Sequence, residues 1–500
     1  MRTRYTNFTW AASGEPQEML VENGKVVARE KVVSGQAGET IDLGGNSLYP
    51  AFIDNHCHIL PAGIDLGRLN LDPCSSREDI LDRVRTQLQE TEPGQWLRAV
   101  HYDQTKFDDG QHLTSLHLDK ISTDTPILLR HVNGHASVAN SAALRLAGID
   151  DQTPDPKGGT FARDAGGALT GVLLEKAHEV VSAAAPKPSV EEMAAAILLA
   201  GEKMREVGIC CAADMMTGQF DLEAELEAYR LAAERGCAVR IRLYLQWATV
   251  LGPRAIPESR IAELMSGLDP DRCRISGVKI FADGAIGSAT AAIYGSYTGN
   301  SKLQSPNSKL EESGQLIYAS DRLLEMVRIA HDAGYQIAIH SIGDRSTDLV
   351  MDAYEALDSP SRHRIEHAMI LSDAQIERMA RLGIFCTMQP EFLMRFGHSY
   401  RRQLGPERAS KLKRFRSVID AGIPLSFSSD RPIVGGDPLE GIKAATSRPD
   451  GFDPAENVTR EEALRAYTLE AARALREEGI GELLPGQLCE FRLELQGLGP

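Results

Sequence analysis

The sequence predicts an α/β protein built on a (β/α)8 TIM barrel, and two observations support this fold class. Strand-like and helix-like segments alternate from about residue 189 to residue 430, which is the pattern of a parallel sheet. Eight strands can be counted from residue 48 onward, and four of them end on side chains that can bind a metal ion. In a barrel of this kind the active site lies at the carboxyl ends of the strands.

The first barrel strand is predicted in the apolar stretch that begins at Leu48 and runs into His56-Cys57-His58. Because residues two apart on a strand point to the same face, His56 and His58 project together past the end of the strand. Two neutral imidazoles on one face suit a divalent metal ion. By spacing alone the pair fits two ordinary histidines of a surface loop as well, so the rest of the chain decides.

Seven further strands are predicted downstream, separated by helices and loops. They cover residues 209–213, 239–245, 275–281, 336–340, 364–367, 383–388 and 423–429. Ser189 and Glu192 have capping-box spacing, as expected at the start of the helix that precedes the second strand. Thr459 and Glu462 have the same spacing, so a last helix is predicted over 460–478.

The two chain ends are predicted to fold together. Residues 1–47 contain short strand-like segments, and Asn23-Gly24 between two apolar runs is a strong hairpin signal. This segment is too small to be stable alone, and the tail from residue 480 to 500 offers a turn and a strand as its partner. The predicted domains are therefore 1–47 with 480–500, and a barrel over 48–479 with a large insertion at 59–188.

The composition indicates a soluble globular protein and argues against several classes of partner. Hydrophobic residues make up 42% and charged residues 25% of the 500 residues. The net charge of −16 argues against nucleic acid or an anionic membrane as the main partner. No signal peptide or membrane-spanning run is recognisable, and the eight cysteines show no Cys-x-x-Cys spacing. We expect a cytoplasmic protein that acts on a small molecule, and homodimer formation stays open.

Six side chains are predicted to meet at the mouth of the barrel, because each lies near the carboxyl end of a strand. They are His56, His58, Lys279, His340, His367 and Asp430. Imidazoles and a carboxylate suit one or two zinc ions, with iron, manganese and nickel as alternatives. A neutral lysine in such a pocket can capture carbon dioxide as a carbamate that bridges two metals, whereas the plain alternative for Lys279 is a lysine that reaches from the strand end to solvent.

The motifs around these residues resemble the amidohydrolase superfamily, and most of all amidohydrolase family three, the branch that includes N-substituted formamide deformylases. The resemblance runs from about residue 48 to residue 487. The segments that carry it are His56-Cys57-His58, residues 278–284, residues 340–345, residues 364–367 and residues 429–432. The resemblance implies a composite β-sandwich built from both chain ends, metal ligands at the six positions and a carboxylated Lys279.

Two segments of the insertion, residues 130–140 and 101–104, are similar to this branch as well, although Tyr102 stands where the branch usually has Trp. The resemblance makes Tyr102 and Asp103 candidate substrate contacts. Two departures matter. Gln487 starts a tail that lacks the usual apolar strand, which puts the last strands of the sandwich in question. Arg431 replaces a frequent aromatic residue, and it either binds an anionic group of the substrate or faces solvent.

The expected mechanism is hydrolysis by metal-activated water. Asp430 is predicted to contact the metal, accept the proton of the attacking water and pass it to the leaving nitrogen. His135 can stabilise the oxyanion or serve as a structural histidine of the insertion. Glu366 and Asp344 are predicted to orient the imidazoles. Asp283 is assigned to structure or to the lining of the pocket.

Three functions follow from the sequence. The first is cleavage of a linear, non-peptide C–N amide bond of the N-substituted formamide or N-acyl type. The second is hydrolysis of a cyclic amide or imide, a lactone or another ester at the same site. The third, which is remote because all six candidate ligands are present, is a non-catalytic assembly protein on a hydrolase fold.

Overall fold

The computed structural model describes residues 2–11, 15–29, 38–132, 134, 136–156, 159–298 and 313–494. The chain divides into two compact units. One consists of Met1–Ala62 with Met193–Pro500, and the other is Gly63–Glu192. The domain boundaries given above stay a prediction.

An eight-stranded parallel sheet forms the centre of the larger unit, and it confirms the predicted barrel fold. In spatial order, which follows the order of the sequence, its strands are Phe52–Cys57, Ile209–Thr217, Arg240–Gln246, Cys273–Phe281, Gln336–Ser341, Arg364–His367, Phe385–Met388 and Leu425–Phe427. The first and eighth strands meet just beyond their carboxyl ends. There the Asp430 amide donates to the His56 carbonyl at 2.8 Å, and the His58 amide donates to the Arg431 carbonyl at 2.9 Å. These two bonds close the barrel at the end where the candidate ligands lie.

Helices follow most of the barrel strands. The α-helices of this part of the chain are Val190–Glu206, Leu222–Glu234, Trp247–Val250, Glu258–Met265, Ser320–Asp332, Asp344–Glu355, Asp373–Leu382, Glu391–Leu404, Pro406–Ser410, Phe415–Asp420, Pro438–Thr446, Arg460–Tyr467 and Leu469–Ala474. The single helix predicted over 460–478 is wrong. Thr468 leaves helical geometry (φ −127°, ψ −94°), and its hydroxyl donates to the Leu464 carbonyl at 2.7 Å, so two helices form instead.

Both chain ends contribute to one six-stranded sheet, as the sequence predicted for the termini. Its strands are Arg2–Trp10, Pro16–Glu22, Lys25–Arg29, Glu39–Asp42, Ser47–Pro50 and Phe491–Glu494. The hairpin predicted at Asn23-Gly24 is confirmed, and both residues have positive φ (52° and 76°), as a two-residue turn of this kind requires.

The apolar stretch before His56 is two strands rather than one. Ser47–Pro50 pairs with strands of the terminal sheet, whereas Phe52–Cys57 is the first strand of the barrel. Pro50 has no amide hydrogen to donate, which favours a break between the two strands. Alternating side chains on Phe52–Cys57 still bring His56 and His58 to the same end of the barrel.

The smaller unit, Gly63–Glu192, has a six-stranded sheet of its own. Its strands are Leu69–Asn70, Leu97–Tyr102, Ile127–His131, Ala136–Ala139, Gly159–Arg163 and Leu169–Glu175. Its helices are Arg77–Glu90, Ser115–Asp119, Ser141–Leu146 and Lys176–Ser182, and Ile59–Leu66 leads into it. Across the described residues of both units, no helix combines the length and the apolar character that crossing a membrane requires.

Candidate metal centre

The structure brings Asp430 together with the two histidines at the carboxyl end of the first strand. Asp430 Oδ1 lies 2.8 Å from His58 Nε2 and 3.4 Å from His56 Nε2. All three side chains are buried, with between 0% and 8% of each residue exposed. His56, His367 and Asp430 can each offer one ligand atom such that the three atoms lie within 4.8 Å of one another.

These separations match the donor set of a divalent metal. Two ligand atoms that each lie about 2.1 Å from one ion are about 3.0 to 3.4 Å apart at octahedral or tetrahedral angles. The distances from Asp430 Oδ1 to the two imidazoles are close to this range. Among the described residues, Nδ1 of His58 has no hydrogen-bond partner although it is buried. Imidazole nitrogens and a carboxylate oxygen are ligands that zinc and other first-row metals accept.

Three more predicted ligands lie beside this group. Lys279 Nζ is 3.4 Å from His56 Nε2, and the His367 ring lies between its neighbours, with centroids 4.7 Å from His56 and 4.5 Å from His340. His340 is oriented differently from the others, because its Nε2 lies 3.0 Å from the Gly284 carbonyl oxygen and donates to it. The structure thus gathers all six predicted side chains, and three of them form the tightest set.

The protonation states in this pocket favour metal binding. Burial and the charge of Lys279 lower the pKa of His340 to about 3, and burial with neighbouring His340 holds the pKa of His367 well below its usual value. Burial alone would raise the pKa of Asp430, but hydrogen bonds to His56 and His58 hold it well below its usual value. At neutral pH His340 and His367 are therefore neutral imidazoles, and Asp430 is an ionised carboxylate.

A buried ion pair holds His56 in place. Glu366 Oε2 accepts from His56 Nδ1 at 2.5 Å, so Nε2, the atom that faces Lys279 and Asp430, is the one that can bind a metal. Arg364 donates to both Glu366 oxygens and to the Asn55 carbonyl at 2.8 Å. Burial would raise the pKa of Glu366, but the charge of Arg364 lowers it to about 2. Glu366 is therefore placed as an orienting carboxylate, as the sequence predicted.

The second orienting carboxylate predicted from the sequence, Asp344, is not placed next to an imidazole. It accepts from the Tyr294 amide at 2.8 Å and from Arg408 at 2.8 Å. Asp344 is also the first residue of helix Asp344–Glu355, where a negative charge is favourable. Its predicted role is wrong for this physical reason: at the start of the helix the carboxylate is directed to Tyr294 and Arg408 instead of an imidazole.

Two residues that sequence reasoning missed hold His367. Gln389 Oε1 accepts from His367 Nδ1 at 2.9 Å and from Lys413 Nζ at 2.8 Å. Lys413 also donates to the His367 carbonyl at 3.1 Å and is completely buried. Gln389 directly follows the seventh strand, so the rule that found the other strand-end residues would have found it. Lys413 lies between helices, where the sequence carries no such signal.

Asp283 and Arg431 are engaged within the protein. The Asp283 carboxylate accepts from the amides of Ile342, Gly343 and Ala292 and from the Ser346 hydroxyl, at 2.6 to 3.0 Å. Four donors on one carboxylate match the structural role considered for it. Arg431 is only 8% exposed, so the solvent-facing alternative is wrong. One of its terminal nitrogens donates to the Gly436 carbonyl at 2.7 Å, and Nε lies 3.6 Å from Asp54 Oδ2.

The remaining candidates belong to the smaller unit. Tyr102 is fully buried, and its hydroxyl accepts from the Leu113 amide at 2.8 Å. Asp103 accepts from the Thr105 amide at 2.9 Å and caps a short 3-10 turn. His135 lies outside the described residues. The predicted substrate contacts of Tyr102 and Asp103 and the predicted role of His135 stay predictions.

Backbone strain marks two of the strand ends. Asp430 has φ 60° and His367 has φ 74°, which is a left-handed conformation that side chains with a Cβ rarely adopt. Such residues persist where the surrounding structure holds them, and they cluster at functional sites. Here the strain occurs at two of the three side chains in the tightest donor set.

Comparison with known proteins points to the same chemistry. Residues 39–491 match the model of the "Amidohydrolase family". An N-substituted formamide deformylase from Arthrobacter pascens is 31% identical over 488 residues, covering 92% of this chain and 86% of the relative. A putative amidohydrolase, YtcJ, from Bacillus subtilis (strain 168) is 29% identical over 503 residues, covering 97% of this chain and 92% of the relative.

A solved structure extends the likeness to the whole fold. An uncharacterized metal-dependent hydrolase from Pyrococcus horikoshii OT3 is similar over 99% of this chain and 97% of its own, with a TM-score of 0.78 and 26% identity.

Proposed function

The chain belongs to the amidohydrolase family and is, by that membership, a metal-dependent hydrolase; we propose that it cleaves a non-peptide C–N amide bond of an N-substituted formamide or N-acyl compound. The observation that carries this proposal is the contact of Asp430 with both histidines of the first strand. This contact supports the proposal, because it brings an ionised carboxylate next to two imidazoles that would hold a metal. The choice of a C–N bond is supported by the relative from Arthrobacter pascens.

We propose zinc as the metal, as one or two ions, with iron, manganese or nickel as alternatives for the same donors. The residues that would hold it are His56, His58, His367 and Asp430, with His340 and Lys279 beside them. When bound, such an ion lowers the pKa of a water molecule and polarises a carbonyl group. We further propose that Lys279 carries a carbamate formed from carbon dioxide, because burial lowers the pKa of its amine to about 8 and so favours the neutral form that reacts.

The side chains of the pocket transfer the proton and orient the imidazoles. Asp430 accepts the proton of the attacking water and returns it to the leaving nitrogen, since it is the ionised group at the strand end. Glu366 fixes the ring of His56, and Gln389 fixes the ring of His367. The expected substrate is a small molecule, and we propose that the protein acts in the cytoplasm.

The test combines metal analysis with a substrate panel on the purified protein. We expect bound zinc or another first-row metal, and turnover of N-substituted formamides or N-acyl amines that disappears with chelation. His56→Ala with His58→Ala should lose most of the metal while folded, whereas His398→Ala, an exposed histidine of helix Glu391–Leu404, should keep it.

Two outcomes would contradict the proposal at different levels. Full metal content in the folded double variant would show that the metal centre is assigned to the wrong residues. Turnover of cyclic imides, lactones or esters without turnover of linear amides would leave the metal centre intact and replace the C–N substrate class by its alternative.

A further inference from the structure

A cleft lies at the start of the fourth barrel strand, near the amino-terminal end of the strand that carries Lys279. It has a volume of about 290 Å³ and is lined by Arg274, Ile275, Ser276, Leu475 and Arg476. Strand Cys273–Phe281 supplies the first three of these residues, and the segment directly after helix Leu469–Ala474 supplies the other two. Nothing in the proposed hydrolysis uses this cleft.

Ser276 is placed in the cleft by an irregularity of the strand. Leu243 pairs with Ile275 and Tyr244 pairs with Gly277, so Ser276 is the extra residue of a β-bulge. Bulges redirect a side chain away from the regular alternation of a strand. Ser276 is 8% exposed, and its hydroxyl has no hydrogen-bond partner among the described residues. A buried hydroxyl without a partner is rare in folded proteins and calls for a ligand or water.

The surroundings of the cleft carry an excess of positive charge. Glu477 is shared between Arg242 and Arg274, and both pairs are in direct contact. Arg476 donates to the Ser276 carbonyl at 3.4 Å and pairs with no carboxylate among the described residues. The lining of the cleft itself holds two arginines, Arg274 and Arg476, and no carboxylate. This local excess occurs in a chain whose net charge is −16.

The positive charge of Arg476 also acts on the guanidinium of Arg362. Burial and the positive charge of Arg476 lower the pKa of Arg362. Nε of Arg362 is buried and has no hydrogen-bond partner among the described residues. The repulsion between these two guanidiniums has an energetic cost, and an anion bound to Arg476 would offset it.

We propose that this cleft binds a phosphate group, either free or carried by a phosphorylated small molecule. Arg476 and Arg274 would supply paired N–H donors to its oxygens, and the Ser276 hydroxyl would donate to a third oxygen. Arg476 contributes most to phosphate binding, because Arg274 already forms an ion pair with Glu477. Phosphate would bind the folded chain and not the unfolded chain, because only folding forms the cleft. Binding would therefore also raise the thermal stability of the protein.

The experiment measures binding of inorganic phosphate to the purified, metal-loaded protein by calorimetry, with the thermal midpoint as a second readout. We expect saturable binding that Arg476→Gln weakens at least about tenfold and Ser276→Ala weakens by about fivefold, since each removes a donor to the anion. Arg473→Gln is the matched control. Arg473 pairs with Glu470 on the same helix, outside the cleft, and its loss should leave binding unchanged.

Arg476→Lys keeps the charge but loses the paired N–H donors of the guanidinium, so it should bind phosphate with intermediate affinity. This variant also serves as a control in case Arg476→Gln does not fold. Saturable binding that is unchanged in Arg476→Gln, Arg476→Lys and Ser276→Ala but lost in the His56→Ala, His58→Ala protein would place phosphate at the metal centre and overturn the proposal. Absence of saturable binding would overturn it as well. Acetate bound as tightly as phosphate would show a general anion site and reject phosphate as its ligand.

Discussion

Nζ of Lys279 lies 3.4 Å from Nε2 of His56, and both atoms are buried in the same pocket. This spacing lets one extra group on the lysine reach the metal that His56 would hold. We predict that Lys279→Ala lowers turnover by about 10²-fold or more, because the pocket loses a ligand and a charge. Short carboxylic acids should partly restore the activity by replacing the carbamate. The measurement is turnover with and without added acetate or propionate.

Lys279→Met is the matched control for this rescue, since its side chain fills the space that an added acid would need. It should be equally inactive and should not respond to acids. An unmodified lysine directed away from the metals, in a structure grown with bicarbonate, would contradict the carbamate and leave a mononuclear site as the alternative.

His363 and His331 form a second pair of imidazoles, with His363 Nε2 2.9 Å from His331 Nδ1. His363 directly precedes the sixth strand, whereas His367 ends it. Nδ1 of His363 accepts from the Ile337 amide at 3.0 Å, so protonation there would break a hydrogen bond. Burial, followed by the charge of Arg362, lowers the pKa of His363 to about 3 from its ordinary 6.5. Between pH 3 and pH 6.5, His363 is therefore protonated in the unfolded chain and neutral in the folded chain.

We therefore predict that His363 contributes stability above pH 6.5 that is lost as the pH falls from 6.5 towards 3. The loss is at most about 1.4 kcal/mol per pH unit. His363→Asn keeps an acceptor for the Ile337 amide but cannot titrate, so its unfolding free energy should fall less steeply in acid. Urea unfolding at several pH values measures the difference, with His398→Asn as the control. Parallel curves for the wild type and His363→Asn would contradict the prediction.

The barrel could be predicted from the sequence because its signal is local. Each strand is an apolar run of ordinary length, and residues such as His340 and Asp430 lie at or shortly after the end of a run. Geometry then requires that the carboxyl ends of parallel strands meet at one mouth. The same reasoning would have reached Gln389, which directly follows the seventh strand.

The rest of the site depends on contacts between residues far apart in the sequence. Lys413 comes to His367 from a segment between two helices, and no periodicity marks it. Asp283 has a charge suited to a pocket, yet four donors from distant residues surround it. Arg431 follows the last ligand directly, but its burial becomes visible only once the Gly436 carbonyl is seen next to it.

The last prediction concerns Asp430, whose Oδ1 lies 2.8 Å from His58 Nε2 and 3.4 Å from His56 Nε2. Asn at this position keeps the shape and one oxygen ligand but cannot carry a proton. Asp430→Asn should therefore retain most of its metal and still bind substrate. Its turnover should fall by about 10²–10⁴-fold, the range that general acid–base groups supply. Turnover and metal content must be measured on one preparation.

Asp420→Asn is the control for this variant, because Asp420 is an acid outside the site that pairs with Arg416 at 2.7 Å. It should keep both metal and turnover. The alternative outcome is informative about the route of the proton. Near-normal turnover in fully metallated Asp430→Asn would mean that another residue carries the proton to the leaving nitrogen. His135 would then be the first residue to replace, since it is the other candidate that the sequence predicts to act on the reacting carbonyl.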